Sequence, residues 1–267
     1  LLGVFAFAGM QLTVKFLTHL PAHELVFFRS LITLVISLVL IRRLGLNPLG
    51  NNKKALLARG IFGTIALYLF FVLIQRIPLA SAVTIQYLSP IFTAIFAIFL
   101  LKEKMRPVQW LFFLVSFIGV AVIKGFNDDI DLTALIIGVV SATASGLAYN
   151  FIRIARHTDH AYVVVFYFPL IALPITTVVT AYDWVLPLGI DWLLLLLMGI
   201  LTQVGQVFMT LAFQKEKANT VASLKYIGVI FALGIDVLVF GVGYSFWALI
   251  GMVQVIGGVV LNIAARR

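Results

Sequence analysis

The sequence predicts an all-α integral membrane protein with ten transmembrane helices arranged as two inverted five-helix repeats. Three observations predict it. Hydrophobic residues make up 63% of the 267 and charged residues only 11%, and the mean hydropathy is +1.14. A soluble domain is about half apolar and a quarter charged, so this chain cannot cover itself with polar surface and its solvent is lipid. Ten segments are long and apolar enough to span a bilayer, which takes roughly 17–25 residues. Finally, residues 56–123 shifted by 139 positions lie on residues 195–262 without a gap.

The spans fall at approximately 1–18, 22–41, 56–75, 79–101, 107–123, 132–155, 161–180, 191–213, 218–240 and 245–264. Turn chemistry separates them: Leu20-Pro21, Gly45 to Lys54, Ile77-Pro78, Arg106-Pro107, Gly125 to Asp131, Asp183 to Asp191, and Gly241 to Gly243. These connections are short, so consecutive helices run antiparallel. Leu1–Leu17 leads straight into further spans, so no cleavable signal is expected. The missing initiator Met predicts that residues precede Leu1.

Orientation follows from charge. With the N-terminus in the cytoplasm, the cytoplasmic connections hold 14 of the 19 basic residues. They are Arg42, Arg43, Lys53, Lys54, Arg59, Lys102, Lys104, Arg106, Arg153, Arg156, Lys215, Lys217, Arg266 and Arg267. Only Arg76 and Lys124 fall outside. The outer loops carry Asp128, Asp129, Asp131, Asp183 and Asp191. Positive charge favours the cytoplasmic side, so both termini are expected there.

Orientation turns the repeat into an inverted one. Five helices per half reverse the chain's direction, so Gln75-Arg76 sits outside while its counterpart Gln214-Lys215 sits inside. Tyr87 matches Tyr226, Ile91-Phe92 matches Ile230-Phe231, and Gly119-Val120 matches Gly258-Val259. The first helices align at an offset of 137: Gly9 with Gly146, His23 with His160, Val26 with Val163. The expected units are residues 1–123 and 132–264, joined by an outer linker at 124–131. Inverted repeats about an axis in the membrane plane are the geometry of alternating access.

Composition also excludes chemistry. The chain has no Cys, so disulfides, zinc-thiolate sites and Cys nucleophiles are ruled out. The four His (His19, His23, His157, His160) form no metal motif. The net charge of +9 has its cause in the cytoplasmic Lys/Arg excess, and no nucleic acid is expected. No cofactor and no metal are expected.

Tyr87-Leu88-Ser89-Pro90-Ile91-Phe92, running on to Leu101-Lys102-Glu103-Lys104, is a Pro-containing fourth helix closing on Leu-x-Glu. The next helix, from Trp110, ends on Gly119-Val120. This pattern resembles the EamA-type members of the drug/metabolite transporter superfamily, and the resemblance spans essentially the whole chain. The second repeat departs from it, with Val229 at the Pro90 position and Val242 at the Glu103 position. The resemblance implies a transporter, not an enzyme, with a central cavity lined by spans 1, 3, 4, 6, 8 and 9. The expected cargo is a small organic metabolite, an amino acid or a related compound bearing an anionic group. The expected setting is the bacterial cytoplasmic (inner) membrane, with solute and lipid as partners and the chain a monomer or homodimer.

Charges inside a bilayer cost about 2.5–3.5 kcal/mol each on insertion scales and are functional candidates. Lys225 lies seven residues into span 9, roughly 10 Å deep; its repeat counterpart is Gln86, and each precedes a tyrosine, Tyr226 and Tyr87. The pair reads either as an anion contact near the axis or as a structural lysine on carbonyls. Asp236 follows eleven residues later on nearly the same face, as a coupling group or a partner of Lys15. Arg29 reads as the holder of an anion or of a carbonyl cluster, the structural reading being favoured because span 2 is expected outside the cavity, and Lys15 as a snorkelling side chain; with Asp236 and Pro90 these two are the gating or coupling candidates. Gln203 and Gln206, with Thr210, form a stripe on span 8, with Thr202 off it. Tyr149, Asn150, Gln11 and Tyr68 complete the substrate-contact candidates, each also readable as interhelical glue. Pro90 reads as a mid-helix kink, either a hinge or static packing. Glu103 reads as a helix-end anchor.

Two rival classes remain. An intramembrane prenyl or lipid transferase would use Asp128-Asp129-Ile130-Asp131 as a diphosphate motif, but that chemistry needs a second carboxylate cluster. A channel would show a filter or an oligomeric pore.

Overall fold

The computed structural model describes residues 2–125, 130–215 and 227–265. Among them the chain is helical without strands. The helices are α1 (Leu2–Phe16), α2 (Ala22–Arg43), α3 (Lys53–Arg76), α4 (Leu79–Gln86), α5 (Ser89–Leu100), α6 (Pro107–Gly125), α7 (Leu132–Ala155), α8 (Ala161–Tyr182), α9 (Asp191–Lys215), α10 (Ile227–Leu238) and α11 (Phe246–Ala265). Seven are long and apolar enough to cross a membrane, counting α4 and α5 as the single run Leu79–Leu100. Three shorter apolar helices accompany them, Leu2–Phe16, Gly228–Leu238 and Phe246–Asn262. This is a multi-pass membrane protein.

Helix starts follow local chemistry. The Asn52 side chain accepts from Ala55 N at 3.1 Å and opens α3. Asp131 does the same for α7 through Ala134 N at 2.6 Å. Each satisfies one of the backbone N–H groups that a helix leaves unpaired at its start. Asp131 is therefore a cap, and its neighbours Asp128 and Asp129 lie outside the described residues.

Pro90 corrects one expectation. It is not the kink of a continuous helix, because α4 ends at Gln86 and α5 starts at Ser89 with Pro90 in its first turn. Pro90 has no N–H to give and its ring crowds the carbonyl four residues back. Leu88 N bonds back to Ile85 O at 3.0 Å, and Ile91 N and Phe92 N both return to Leu88 O at 2.9 and 3.2 Å. The break needs no unusual backbone angle, since Tyr87 and Leu88 both keep negative φ.

The principal pairings are α6 with α11, α3 with α7, α2 with α8, α1 with α9, and α5 with α7. Further contacts join α3 to α8, α2 to α9, α4 to α10 and α1 to α10. In lipid no hydrophobic force drives helix on helix, so close packing at small residues does the work. At α6–α11 a Cβ on Gly119 would stand 2.7 Å from Gly251 O and 2.8 Å from Val255 N. On the same seam a Cβ on Gly258 would stand 2.7 Å from Phe112 O and 3.0 Å from Ser116 N.

The end of the bundle where α3 finishes is tied by polar side chains. Lys15 Nζ donates to Ile74 O and Ile77 O, both at 2.9 Å, and Gln75 Nε2 donates to Leu20 O at 2.8 Å. At the opposite end Asp159 accepts from Asn51 N at 2.5 Å and Asn52 N at 3.1 Å. Also at that end, Arg153 pairs with Glu103 at 2.5 Å.

The glycine seam makes a stability prediction. Gly119→Ala should cost about 1–3 kcal/mol, because backbone, not a pliable side chain, blocks the added methyl. Gly257→Ala meets nothing within 4 Å and should be neutral or slightly stabilising. Denaturant titration of the purified variants, followed by helical circular dichroism, checks the contrast.

Candidate functional site

A cavity of about 140 Å³ lies inside the bundle, toward the end at which α1, α3 and α8 begin. Its wall takes Phe7 and Gln11 from α1, and Arg59, Gly63 and Phe70 from α3. The interrupted fourth span contributes Gln86, Tyr87 and Ser89, α7 contributes Ser145 and Tyr149, and α9 contributes Gln206 and Met209. Phe168 of α8 and Gly228 of α10 complete it. The lining is apolar and aromatic with a few converging polar groups, the usual make-up of a small-molecule site. The break between α4 and α5 places Gln86, Tyr87 and Ser89 together on this wall.

The charge in the wall is Arg59, seven residues into α3 and only 3% exposed. Its Nη2 donates to Gln206 Oε1 at 3.2 Å, while its Nε is buried with no partner among the described residues. Its guanidinium carbon stands 5.3 Å from the centre of the Phe168 ring. Gly63, one turn along α3, leaves the room both groups occupy: a Cβ there would stand 2.6 Å from Phe168 Cδ2 and would also strike Arg59 Nη1.

A second arginine stands against the same ring. Arg29 of α2 is 1% exposed, with its guanidinium carbon 4.5 Å from the ring centre. Its Nε donates to Thr202 Oγ1 at 3.2 Å, and its Nη1 is buried and unpartnered among the described residues. Thr202 and Gln206 are four apart on α9, so one helix face supplies an acceptor to each arginine.

The EamA-like transporter family matches residues 1–125 and 132–264. The chain belongs to that family. Among its relatives is the pseudopaline exporter CntI of Pseudomonas aeruginosa, 34% identical over 267 residues that cover 99% of this chain and 92% of the exporter. Solute carrier family 35 member G1 of Homo sapiens is 29% identical, covering 96% of this chain and 75% of the carrier. A crystal structure of one further protein superposes with a TM-score of 0.67 at 19% identity, covering 100% of this chain and 98% of its own. That likeness shows the fold. The protein is therefore a membrane transporter of the drug/metabolite superfamily, and the reading taken from the Tyr87–Lys104 and Trp110–Val120 motifs holds.

Within this EamA-like frame, Gln11, Gln86, Tyr87, Tyr149 and Gln206 line the cavity. Gln86 is held by α7: its Nε2 donates to Ser145 Oγ at 2.7 Å and its Oε1 accepts from Ser141 Oγ at 2.9 Å. Lys225 and Tyr226 lie outside the described residues. Gln203, Asn150 and Tyr68 are not brought to the cavity. Gln203 exchanges hydrogen bonds with Ser37 of α2, its Nε2 donating at 2.9 Å. Asn150 Nδ2 donates to Thr93 O at 2.9 Å and Gly146 O at 3.0 Å. Tyr68 is 37% exposed on the outer face of α3. The stripe expected on α9 thus splits, with Gln203 turned to α2 and Thr202–Gln206 facing the arginines.

The gating candidates are also placed. Asp236 accepts from Leu79 N at 3.1 Å, Ala80 N at 2.7 Å and the Tyr244 hydroxyl. It caps α4 from another helix, where the helix dipole favours negative charge. Its hydrogen-bond partners are these groups, and Lys15, near enough to feel the Asp236 charge, donates to Ile74 O and Ile77 O at the end of α3. Burial first, and then the bond to Asp236, hold the Tyr244 hydroxyl well above its ordinary range. The sequence reading missed Arg59, counting it with the cytoplasmic connections. The span expected at 56–75 already held it, and Asn52, a cap that starts α3 at Lys53, sets it a further turn inside.

Asp236→Ala would leave two buried backbone donors without an acceptor, a loss of about 1–3 kcal/mol. Asp236→Asn keeps one acceptor oxygen and should lose less. Thermal melting of the detergent-purified variants checks the order.

Proposed function

We propose that this protein is a ten-span secondary transporter that carries a small organic metabolite with an anionic group outward across the cytoplasmic membrane by alternating access. One observation carries the reading: a buried arginine, Arg59, lines the cavity and meets no carboxylate among the described residues. Burying an unpaired charge is costly, and within a membrane span such a charge marks a substrate path. The outward direction follows the Pseudomonas relative, which is an exporter.

The helix pairings support two inverted five-helix halves, at 1–123 and 132–264. Under exchange of the halves, α1–α9 becomes α7–α3, α3–α8 becomes α9–α2, and α1–α10 becomes α7 against the fourth span. The pairs α2–α8, α4–α10 and α6–α11 map onto themselves. The seam repeats this residue by residue, since Gly119 against Gly251 and Val255 becomes Gly258 against Phe112 and Ser116 at the 139-residue offset. With both termini in the cytoplasm, the cavity lies toward the cytoplasmic side. The ties at Lys15, Gln75 and Asp236 then close the outer end, as in an inward-facing carrier.

In proteoliposomes, labelled amino acids and organic acids should show saturable flux that competitors suppress. Arg59→Gln should lower it by roughly 10–150-fold, the equivalent of about 1.5–3 kcal/mol for a hydrogen bond to a charged group. Arg59→Lys should recover part of it. Full flux in Arg59→Gln overturns the reading. Unsaturable conductance would favour a channel, and Mg-dependent turnover of a diphosphate a transferase.

A further inference from the structure

We infer that the cargo carries two carboxylates, and that Arg29 is the contact for the second. This rests on the reading of the cavity as an anion carrier. Arg59 and Arg29 stand 5.3 and 4.5 Å from the centre of one ring, Phe168. Their guanidinium carbons can be no farther apart than those two distances together. Like charges at such range repel, and each also pays for leaving water.

The described acids do not meet this charge. Every described carboxylate is engaged elsewhere. Glu103 pairs with Arg153, Asp183 with His23, and Asp191 with His19. Glu24 accepts from Val185 N, Asp131 caps α7, Asp159 caps α3 and Asp236 caps α4. Among the described residues the two arginines have one neutral acceptor each, Thr202 and Gln206, and the face of a ring, with the Tyr149 hydroxyl near Arg59. Arg29 Nη1 and Arg59 Nε remain buried donors without partners among the described residues. Two planar forks with donors to spare, at fixed separation, match a pair of carboxylates joined by a short chain.

Phe168 stands against both arginines. It lines the cavity, with Arg29 against it, so turning this one side chain brings Arg29 to the cargo. The turn must lift the ring off Gly63, against which it packs closely. Pro169, next in sequence and inside α8, cannot donate the helical hydrogen bond at that position and loosens the backbone there. Phe168 in this role selects cargo: a monoanion is satisfied by Arg59 alone, while a dianion of suitable length gains by displacing the ring.

The test uses the purified full-length chain and unbranched α,ω-dicarboxylates of three to six carbons, each against its monoamide. Binding is read by thermal stabilisation across a titration, at constant ionic strength. At one chain length the dicarboxylate should bind at least tenfold more tightly than its monoamide. Arg29→Gln should bring the dicarboxylate down to the affinity that the same variant shows for the monoamide. Arg59→Gln should abolish both. Should Arg29→Gln fail to fold, Arg29→Lys should narrow the preference, because a lysine cannot offer the fork. Equal binding of the pair in wild-type protein, with both lost in Arg59→Gln, would overturn the second contact and leave the anion cavity standing. A preference undiminished in an Arg29 variant would do the same. Binding by neither compound, or binding that survives Arg59→Gln, would overturn both readings.

Discussion

A chain dissolved in lipid must satisfy its backbone ends and its charges from within. Much of the polar chemistry of this protein is spent on that requirement. Lys15 takes the last carbonyls of α3, and Asp159 takes the amides that open it. Asp236 reaches across to the first amides of α4. These bonds join segments far apart in sequence, so satisfying the helix ends also fixes which helices are neighbours. The same accounting isolates the site. Once capping and pairing are deducted, the charged side chains left buried with an unpartnered atom are Arg29, Arg59 and, in the first turn of α2, Glu24, and only the two arginines stand at Phe168.

Much of the architecture was legible because spanning helices are long and their boundaries carry Pro, Gly and Asn. The family was legible from the motif around Pro90, although the local geometry there was not. A proline in an apolar run reads equally as a kink or as a new start, and only the turn at Tyr87–Leu88 decides. Side-chain partners were the least legible. Asp236 looked like a coupling group because nothing in the sequence says that the start of α4 lies beside it. Arg59 was hidden by the rule used to read orientation, since basic residues near a cytoplasmic boundary are expected to face water. Gln203 and Gln206 share a stripe by spacing, yet the packing of α2 against α9 separates them.

On the proposed reading of two inverted halves, the repeat bears on where function sits. Matching positions such as Gly119 and Gly258 serve the α6–α11 seam. Several of its mismatches fall at the arginines. At an offset of 139, Arg59 answers to Met198, Gly63 to Thr202 and Leu67 to Gln206; at 137, Arg29 answers to Phe166 and Leu31 to Phe168. Scaffold symmetry permits two equivalent arrangements of the halves, whereas a charged site duplicated by symmetry would double the cost of burying it. One asymmetric site on a near-symmetric frame avoids that cost.

The mounting of the site connects cargo to motion. Both arginines stand on the first half, on α2 and α3. Their acceptors Thr202 and Gln206, and the ring between them, stand on the second half, on α8 and α9. On the proposed mechanism, rocking one half against the other must stretch or exchange these contacts together, because Thr202 and Gln206 ride one helix. Without cargo, each arginine would lose its neutral acceptor and gain nothing, which opposes the movement. A bound dianion that supplies its own acceptors removes that penalty. A ligand shifts a conformational equilibrium only through its different affinity for the two states, and here the difference arises at the arginines. Cargo charge would then act as the permit for crossing as well as the basis of recognition.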